Sequence, residues 1–448
     1  MTDPAELGVV EAGALLGRGE LSSRELVEAC LARIRERDGT HNHDGDPGSV
    51  NAWVRVYEDD ALAAADRADA RLAARDSSPL CGVPVGLKDI YAAAGKPLTA
   101  SSRLLDEVPE RSSDAWARLE AAGMVLLGHL HTHEFAAGGT TDQVGNPWAL
   151  DRSVGGSSGG SAAALAARMT PAATGTDTAG SLRIPSALCG TSTIKPTRGL
   201  VPLGGVVPLA PTLDHAGPMA RSVADCEPLL AALAGIHAPI GRRPLRRVVV
   251  SPRIAELDPD VADGFDAALE ACRTLGVELV AAPPPAVSLD LGLDFLDLVC
   301  VEMLPYHRRF DGRRDLYRPS IRGFVEYGEQ RALPESELAA LQERRAADAA
   351  VWLDWFAEHA VDAVLEPTVP IVAPPRGDGY DAPFTDVALI SLTHYWNWTG
   401  FPVVSLPSGL GRRSGLPVGV SLIGPPQADW DLLAAGAALQ TVLGTPAP

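Results

Sequence analysis

Residues 155–181 read G-G-S-S-G-G-S-A-A-A-L-A-A-R-M-T-P-A-A-T-G-T-D-T-A-G-S. Glycines and serines open the stretch, a small-residue helix pattern fills its middle, and T-D-T-A-G-S closes it. Glycine frees the backbone and lets main-chain N–H groups approach a bound ligand closely. Ser157 and Ser158 stand where the apolar run begins, the position of a helix start. A flexible linker of this composition would not run directly into A-A-A-L-A-A.

Two short motifs overlap the stretch and both fail on context. Gly156, Ser158 and Gly160 satisfy G-x-S-x-G, a nucleophile elbow that needs a strand directly before it. The preceding N-P-W-A-L-D-R-S-V reads as a turn-like segment. A phosphate loop would end in G-K-[ST], which does not follow.

Outward from this centre, V-P-V-G-L-K-D upstream is a short apolar strand pattern ending on Lys88. Residues 1–76 read as a helical segment, with a Ser22–Glu25 capping box and an alanine-rich helix from Glu58 to Arg75. A helix at Asp114–Ala122 leads through Gly123 into the buried-strand pattern M-V-L-L-G-H. Downstream, V-P-L-G-G-V-V-P-L-A-P-T-L-D reads as loop. R-R-V-V-V-S, D-A-V-L-E-P, P-V-V-S-L-P and P-V-G-V-S-L-I-G read as strands. An amphipathic helix spans Asp260 to Leu275, and residues 286–360 read as mostly helical and rich in aromatics. Helices alternating with short apolar strands predict an α/β sandwich around one large parallel or mixed sheet.

The 448 residues carry 38 basic and 57 acidic side chains, 38 − 57 = −19. Such an acidic surface disfavours nucleic-acid backbones and anionic membranes as partners. No apolar run of membrane-spanning length occurs, and M-T-D-P-A-E-L lacks the pattern of a signal peptide. Six scattered cysteines without a C-x-x-C pair read as reduced thiols, so a cytoplasmic location is expected. Cys189, near the central stretch, reads as a small buried hydrophobe. His129, His131 and His133 alternate, and on a strand they would share one face, which invites a metal site. That site would need a carboxylate and further ligands from elsewhere.

The chain resembles the amidase signature family over nearly its whole length. The resemblance rests on G-G-S-S-G-G-S-A-A-A, G-T-D-T-A-G-S-L-R-I-P-S-A-L-C-G, I-K-P-T-R-G and V-P-V-G-L-K-D. L-D-H-A-G-P-M-A-R-S-V-A-D, N-W-T-G-F-P-V-V-S-L-P and G-L-P-V-G-V-S-L-I-G add to it. It implies one amidase unit over 1–448, with a signature core at 77–235 and a C-terminal part, 236–448, that completes the sheet. It also implies hydrolysis of a carboxamide through an acyl-Ser181 intermediate, with Lys88 as base and Ser157 as the bridge between them. The Gly156–Ser157 peptide would be cis, and the segment ending H-E-F-A would form a loop near the substrate. No metal or cofactor is implied, and a monomer or homodimer acting on a small-molecule amide is expected.

The N–H groups of Thr178, Ala179, Gly180 and Ser181 can converge on the oxyanion of a tetrahedral intermediate. Ala179 replaces the family's commoner glycine but keeps its N–H. Asp177 and Arg183 are expected to brace the loop as an ion pair. Lys88 must be neutral to act as base, which burial favours. The pocket wall is expected to draw on at least two of Met303, Tyr306, Phe310, Tyr317 and Phe324, with Trp396 and Trp398 opposite. A second reading is the amidase component of a glutamyl-tRNA amidotransferase complex, although S-L-R-I-P and K-P-T-R-G differ from that subgroup's S-I-R-Q-P and tyrosine-glycine-arginine run. A third is a metal hydrolase built on His129, His131 and His133.

Overall fold

The computed structural model describes residues 3–75, 78–236, 242–251, 253, 256–377, 379–383, 385 and 387–448. Its N-terminal half supplies strands Trp53–Val56 (β1), Pro84–Lys88 (β2), Val125–Leu130 (β3), Gly145–Asn146 (β4) and Ala149–Ser153 (β5). Ala172–Asp177 (β6), Ser192–Lys195 (β7) and His215–Ala220 (β8) follow in the signature region. Arg247–Val250 (β9), Glu278–Val280 (β10), Ala363–Pro367 (β11), Val403–Leu410 (β12) and Pro417–Ile423 (β13) complete the set.

Eleven strands form one sheet in the order β1-β3-β2-β6-β8-β7-β12-β13-β11-β9-β10. β2 pairs in parallel with both β3 and β6, while β8 runs antiparallel to β6 and β7. The sheet is therefore mixed. Every residue of β2, β6, β7, β8, β11 and β13 is buried, the signature of strands covered on both faces.

The helix Gly159–Ala166 is buried along its whole length and packs on β2, β3, β6, β8 and the helix Arg183–Cys189. Alanine is the best helix former, and its methyl group lets a helix approach the sheet closely. Ser158 is the N-cap position, as the small-residue pattern predicts. The Ser22–Glu25 capping box is present in both directions. The aromatic-rich insertion folds as helices Asp294–His307, Pro319–Arg331 and Glu335–Glu358.

Three features depart from the sequence reading. The segment read as helical up to residue 76 contains the edge strand β1, which alternates too briefly to stand out. N-P-W-A-L-D-R-S-V, read as a turn, carries one arm of the separate two-stranded sheet β4–β5. β6 and β8 are strands rich in alanine, glycine and proline, residues that carry little strand signal. The boundary placed between residues 76 and 77 lies outside the described residues.

Candidate active site

Lys88 ends β2, and parallel pairing with β6 lays it beside the T-G-T-D segment. Its backbone N–H donates to Thr174 Oγ1 at 3.1 Å. Its Nζ lies 2.8 Å from Ser157 Oγ and 2.8 Å from Thr176 Oγ1, fully buried. Burial lowers the Lys88 pKa to about 7, while the Asp214 and Asp177 carboxylates pull it upward.

Ser157 is held on the other side of this contact. The Gly156–Ser157 peptide is cis, as the resemblance implies. The Ser157 carbonyl accepts from the His133 N–H at 3.0 Å and the Thr141 hydroxyl at 3.2 Å. Ser158 N–H donates to the Ser181 carbonyl at 3.3 Å, which ties the two serine segments together. Ser181 follows Gly180, whose φ of +134° is open only to glycine, and a Cβ there would strike the Thr393 side chain.

The loop before Ser181 is braced by a buried ion pair. Arg183 Nε and one terminal nitrogen each donate to Asp177 at 2.9 Å, a two-point contact. Burial alone would raise Asp177, but Arg183 and the Asn397 amide hold its carboxyl well below the usual range. Asp177 Oδ1 also accepts the Gly180 N–H at 2.9 Å. The four N–H groups expected to face an oxyanion therefore differ in their present partners. Gly180 is engaged by Asp177, while the N–H groups of Thr178, Ala179 and Ser181 make no hydrogen bond among the described residues. We expect Arg183→Met to leave the Asp177 charge buried and unpaired, at a cost of about 3–5 kcal/mol. A denaturation midpoint unchanged from wild type would remove the bracing role.

Several residues here were not legible as parts of a site. Thr176 meets Lys88, and Asp214 accepts from Thr178 Oγ1 at 2.5 Å and from the Leu209 and Ala210 N–H groups. Burial raises Asp214 to about 6. Asn397 accepts from Arg183 at 2.7 Å and donates to the Asp177 carbonyl at 2.8 Å. Only the N-W-T-G-F-P block hinted at it, as a motif without a role.

Ser181 opens onto a cavity of about 930 Å³, with Thr178 and Ala179 beside it. Phe295, Leu296, Val299 and Phe324 of the helical insertion form one wall, and Ile390 and Leu392 line it too. Of the five residues expected in that wall, Phe324 alone lines the cavity. Met303 is wholly buried in the core. Tyr306, Phe310 and Tyr317 surround Phe135, with ring centroids 5.4–6.2 Å away. They back the loop whose Ala136–Gly139 segment lines the cavity.

Trp396 and Trp398 do not form an opposite wall. Both are fully buried, because each indole N–H finds a buried carboxylate: Glu366 at 2.5 Å for Trp396 and Asp348 at 2.8 Å for Trp398.

The three alternating histidines do not converge. His129 Nε2 donates to the Tyr91 carbonyl at 3.0 Å, and its Nδ1 is 2.7 Å from the Tyr57 hydroxyl. His131 Nδ1 lies near Ser101 Oγ and Gln143, while His133 Nδ1 donates to the Thr140 carbonyl at 2.9 Å. Burial lowers His131 and His133 to about 3. Among the described residues no group of three or more His, Cys, Asp or Glu side chains is placed to hold a metal ion. Cys189 is buried with its thiol pKa raised, as a small hydrophobe would be.

The family model described as Amidase matches residues 25–433. A glutamyl-tRNA(Gln) amidotransferase subunit from Roseiflexus castenholzii is 36% identical, over 99% of this chain and 97% of that protein. A solved structure titled as an amidase superposes with a TM-score of 0.85 at 30% identity, over 98% of this chain and all of that one. A 6-aminohexanoate cyclic dimer hydrolase does so at 0.84 and 28%, over 99% and 98%. No helix among the described residues is long and apolar enough to cross a membrane. A match this long, on a mixed sheet that carries the signature loop at its centre, makes the chain a member of the amidase family, hydrolases of C–N amide bonds.

Proposed function

We propose that the protein cleaves a carboxamide with a largely apolar body into an acid and ammonia or an amine, through an acyl-Ser181 intermediate. The observation that carries this reading is the 2.8 Å contact of a buried lysine with Ser157, on a segment bonded to that of Ser181. As Ser181 Oγ attacks the carbonyl carbon, its proton passes to Ser157 while the Ser157 proton passes to neutral Lys88. The oxyanion is met by the N–H groups of Thr178, Ala179 and Ser181. Lys88 returns its proton through Ser157 to the departing nitrogen, and the C–N bond breaks. Water then attacks the ester by the same relay and frees Ser181.

No step calls for a metal or cofactor. The 448 residues act as one unit in this reading, since the central sheet draws strands from residue 53 to residue 423. The test is acyl trapping. With hydroxylamine present, a panel of aliphatic and aromatic amides should give hydroxamates as well as acids. Acid release without any hydroxamate, at every hydroxylamine concentration, would argue against the covalent intermediate.

The wall residues set substrate choice. Phe324→Ala should shift kcat/KM between small aliphatic and large aromatic amides by roughly tenfold, about 1.4 kcal/mol, at nearly wild-type stability. Trp396→Ala should instead cost about 3–5 kcal/mol of stability, because it empties a packed interior. Comparing substrate ratios and denaturation midpoints of the two variants checks both halves. A Phe324→Ala enzyme that scaled all substrates equally would place the wall elsewhere.

A second reading is favoured by the name of the Roseiflexus relative, which belongs to an amidotransferase. On that reading the chain releases ammonia for a partner protein. Full amidase activity of the isolated chain, with no partner co-purifying from its own cell, would decide against it.

A further inference from the structure

The relay leaves several polar groups on the cavity wall unused, among them a histidine. His394 lines the same cavity as Ser181 and directly precedes the short helix Tyr395–Thr399. Its Nδ1 lies 2.7 Å from the Ile390 carbonyl. A carbonyl can only accept, so Nδ1 carries the hydrogen and Nε2 presents a lone pair. Nε2 has no hydrogen-bond partner among the described residues. The ring is fixed by an edge contact with Phe295, centroids 5.1 Å apart. Burial first, and then nearby Arg253, lower the imidazole to about 4, against an upward pull from the Ile390 contact and Asp290. The group is a neutral acceptor.

Its position relative to the reaction centre is set from both sides. Thr393, the preceding residue, donates its hydroxyl to the Ala179 carbonyl. Asn397, three residues on, donates to Asp177 Oδ1 at 2.7 Å. His394 is thus held between two attachments to the loop that ends in Ser181. The charged groups around the cavity add acceptors to it. Arg253 donates to the Ser391 and Leu392 carbonyls, while Glu256 and Asp290 line the same space and make no ion pair among the described residues.

We propose that His394 Nε2 accepts a hydrogen bond from an N–H or O–H group on the otherwise apolar body of the substrate, and so selects carboxamides that carry such a donor. This rests on the amidase reading above. A purely apolar substrate expels water from Nε2 and leaves the lone pair unsatisfied, whereas a donor-bearing one restores the bond. Sites built to bond a donor reject analogues that lack it far more strongly than apolar pockets reject a size change.

The experiment compares 3-phenylpropanamide with its monohydroxy forms, the hydroxyl on the α carbon, the β carbon or the para position of the ring. The wild-type enzyme should favour at least one hydroxy form by roughly tenfold or more in kcat/KM. His394→Phe keeps an aromatic ring and removes the acceptor, so it should abolish the preference and bring the hydroxy form and the parent amide to similar kcat/KM. His394→Gln, which retains an acceptor, should keep part of the preference. No favoured hydroxy form in wild type, or an equal loss on all substrates in His394→Phe, would overturn the assignment. Calorimetric binding of the same amides separates this from the hydrolysis reading. If none is hydrolysed, tighter binding of one hydroxy form by wild type alone still supports the His394 role. Equal binding by wild type and His394→Phe sinks it.

Discussion

Ser181→Ala is expected to lower kcat by about 10³-fold or more while leaving the denaturation curve unchanged. The substitution deletes one hydroxyl from a residue that is 5% exposed and lines the cavity. It leaves Gly180 and the Asp177–Arg183 brace untouched. Residual turnover would come from oxyanion stabilisation and substrate positioning, which survive the loss of a nucleophile. A variant that keeps a tenth of wild-type kcat would exclude Ser181 as the nucleophile. A hydroxamate still formed at the wild-type rate would do the same.

Lys88→Ala is expected to be nearly as severe, about 10³-fold, and Lys88→Met should match it while filling the space. The wild-type pH profile supplies the independent check. The base must be neutral, and its pKa is lowered to about 7, so kcat/KM should fall tenfold per unit as pH drops below that value and level off above it. Asp214 and Asp177 both raise the Lys88 pKa by attraction. Asp214→Asn removes one of these charges and should move the acid limb to lower pH. A limb that stayed in place in Asp214→Asn, together with activity surviving in Lys88→Met, would assign the proton relay to another group.

The parts of the site that sequence made legible are those packed into short, chemically loaded stretches. Lys88, Ser157 and Ser181 each sit in a motif whose neighbours are glycines, prolines or acidic residues with narrow backbone requirements, and the fold brings these motifs together. Thr176, Asp214, Thr393 and Asn397 were not assigned roles, because their meaning depends on contacts across tens to hundreds of residues. The cavity wall failed for a related reason. Aromatic residues in a helical insertion can face core or cavity, and periodicity does not say which. The fold turns Phe295 and Phe324 to the cavity and Met303 and Phe310 inward. Tryptophans beside the N-W-T-G motif have the look of ligand-facing aromatics, but Glu366 and Asp348 lie beneath them.

The same pattern hid the strands near the centre. β6 packs against the helix Gly159–Ala166 and carries only Thr174 and Thr176 as β-branched residues, without the valine and isoleucine by which strands are usually read. The mixed sheet itself was legible, because its strands in the C-terminal half are rich in valine and leucine.

The attachment of Thr393 and Asn397 to the signature loop has a consequence for the order of events during synthesis. Lys88, Ser157 and Ser181 all emerge in the first half of the chain, but the clamp that fixes their loop is translated only just before the last two strands. The interval is 397 − 181 = 216 residues, roughly 10–40 s at ordinary elongation rates. On the proposed mechanism, a nascent chain would carry its nucleophile and base well before it could use them. Competence would then arrive only once this clamp is in place, so a chain truncated before Thr393 is expected to hydrolyse no amide.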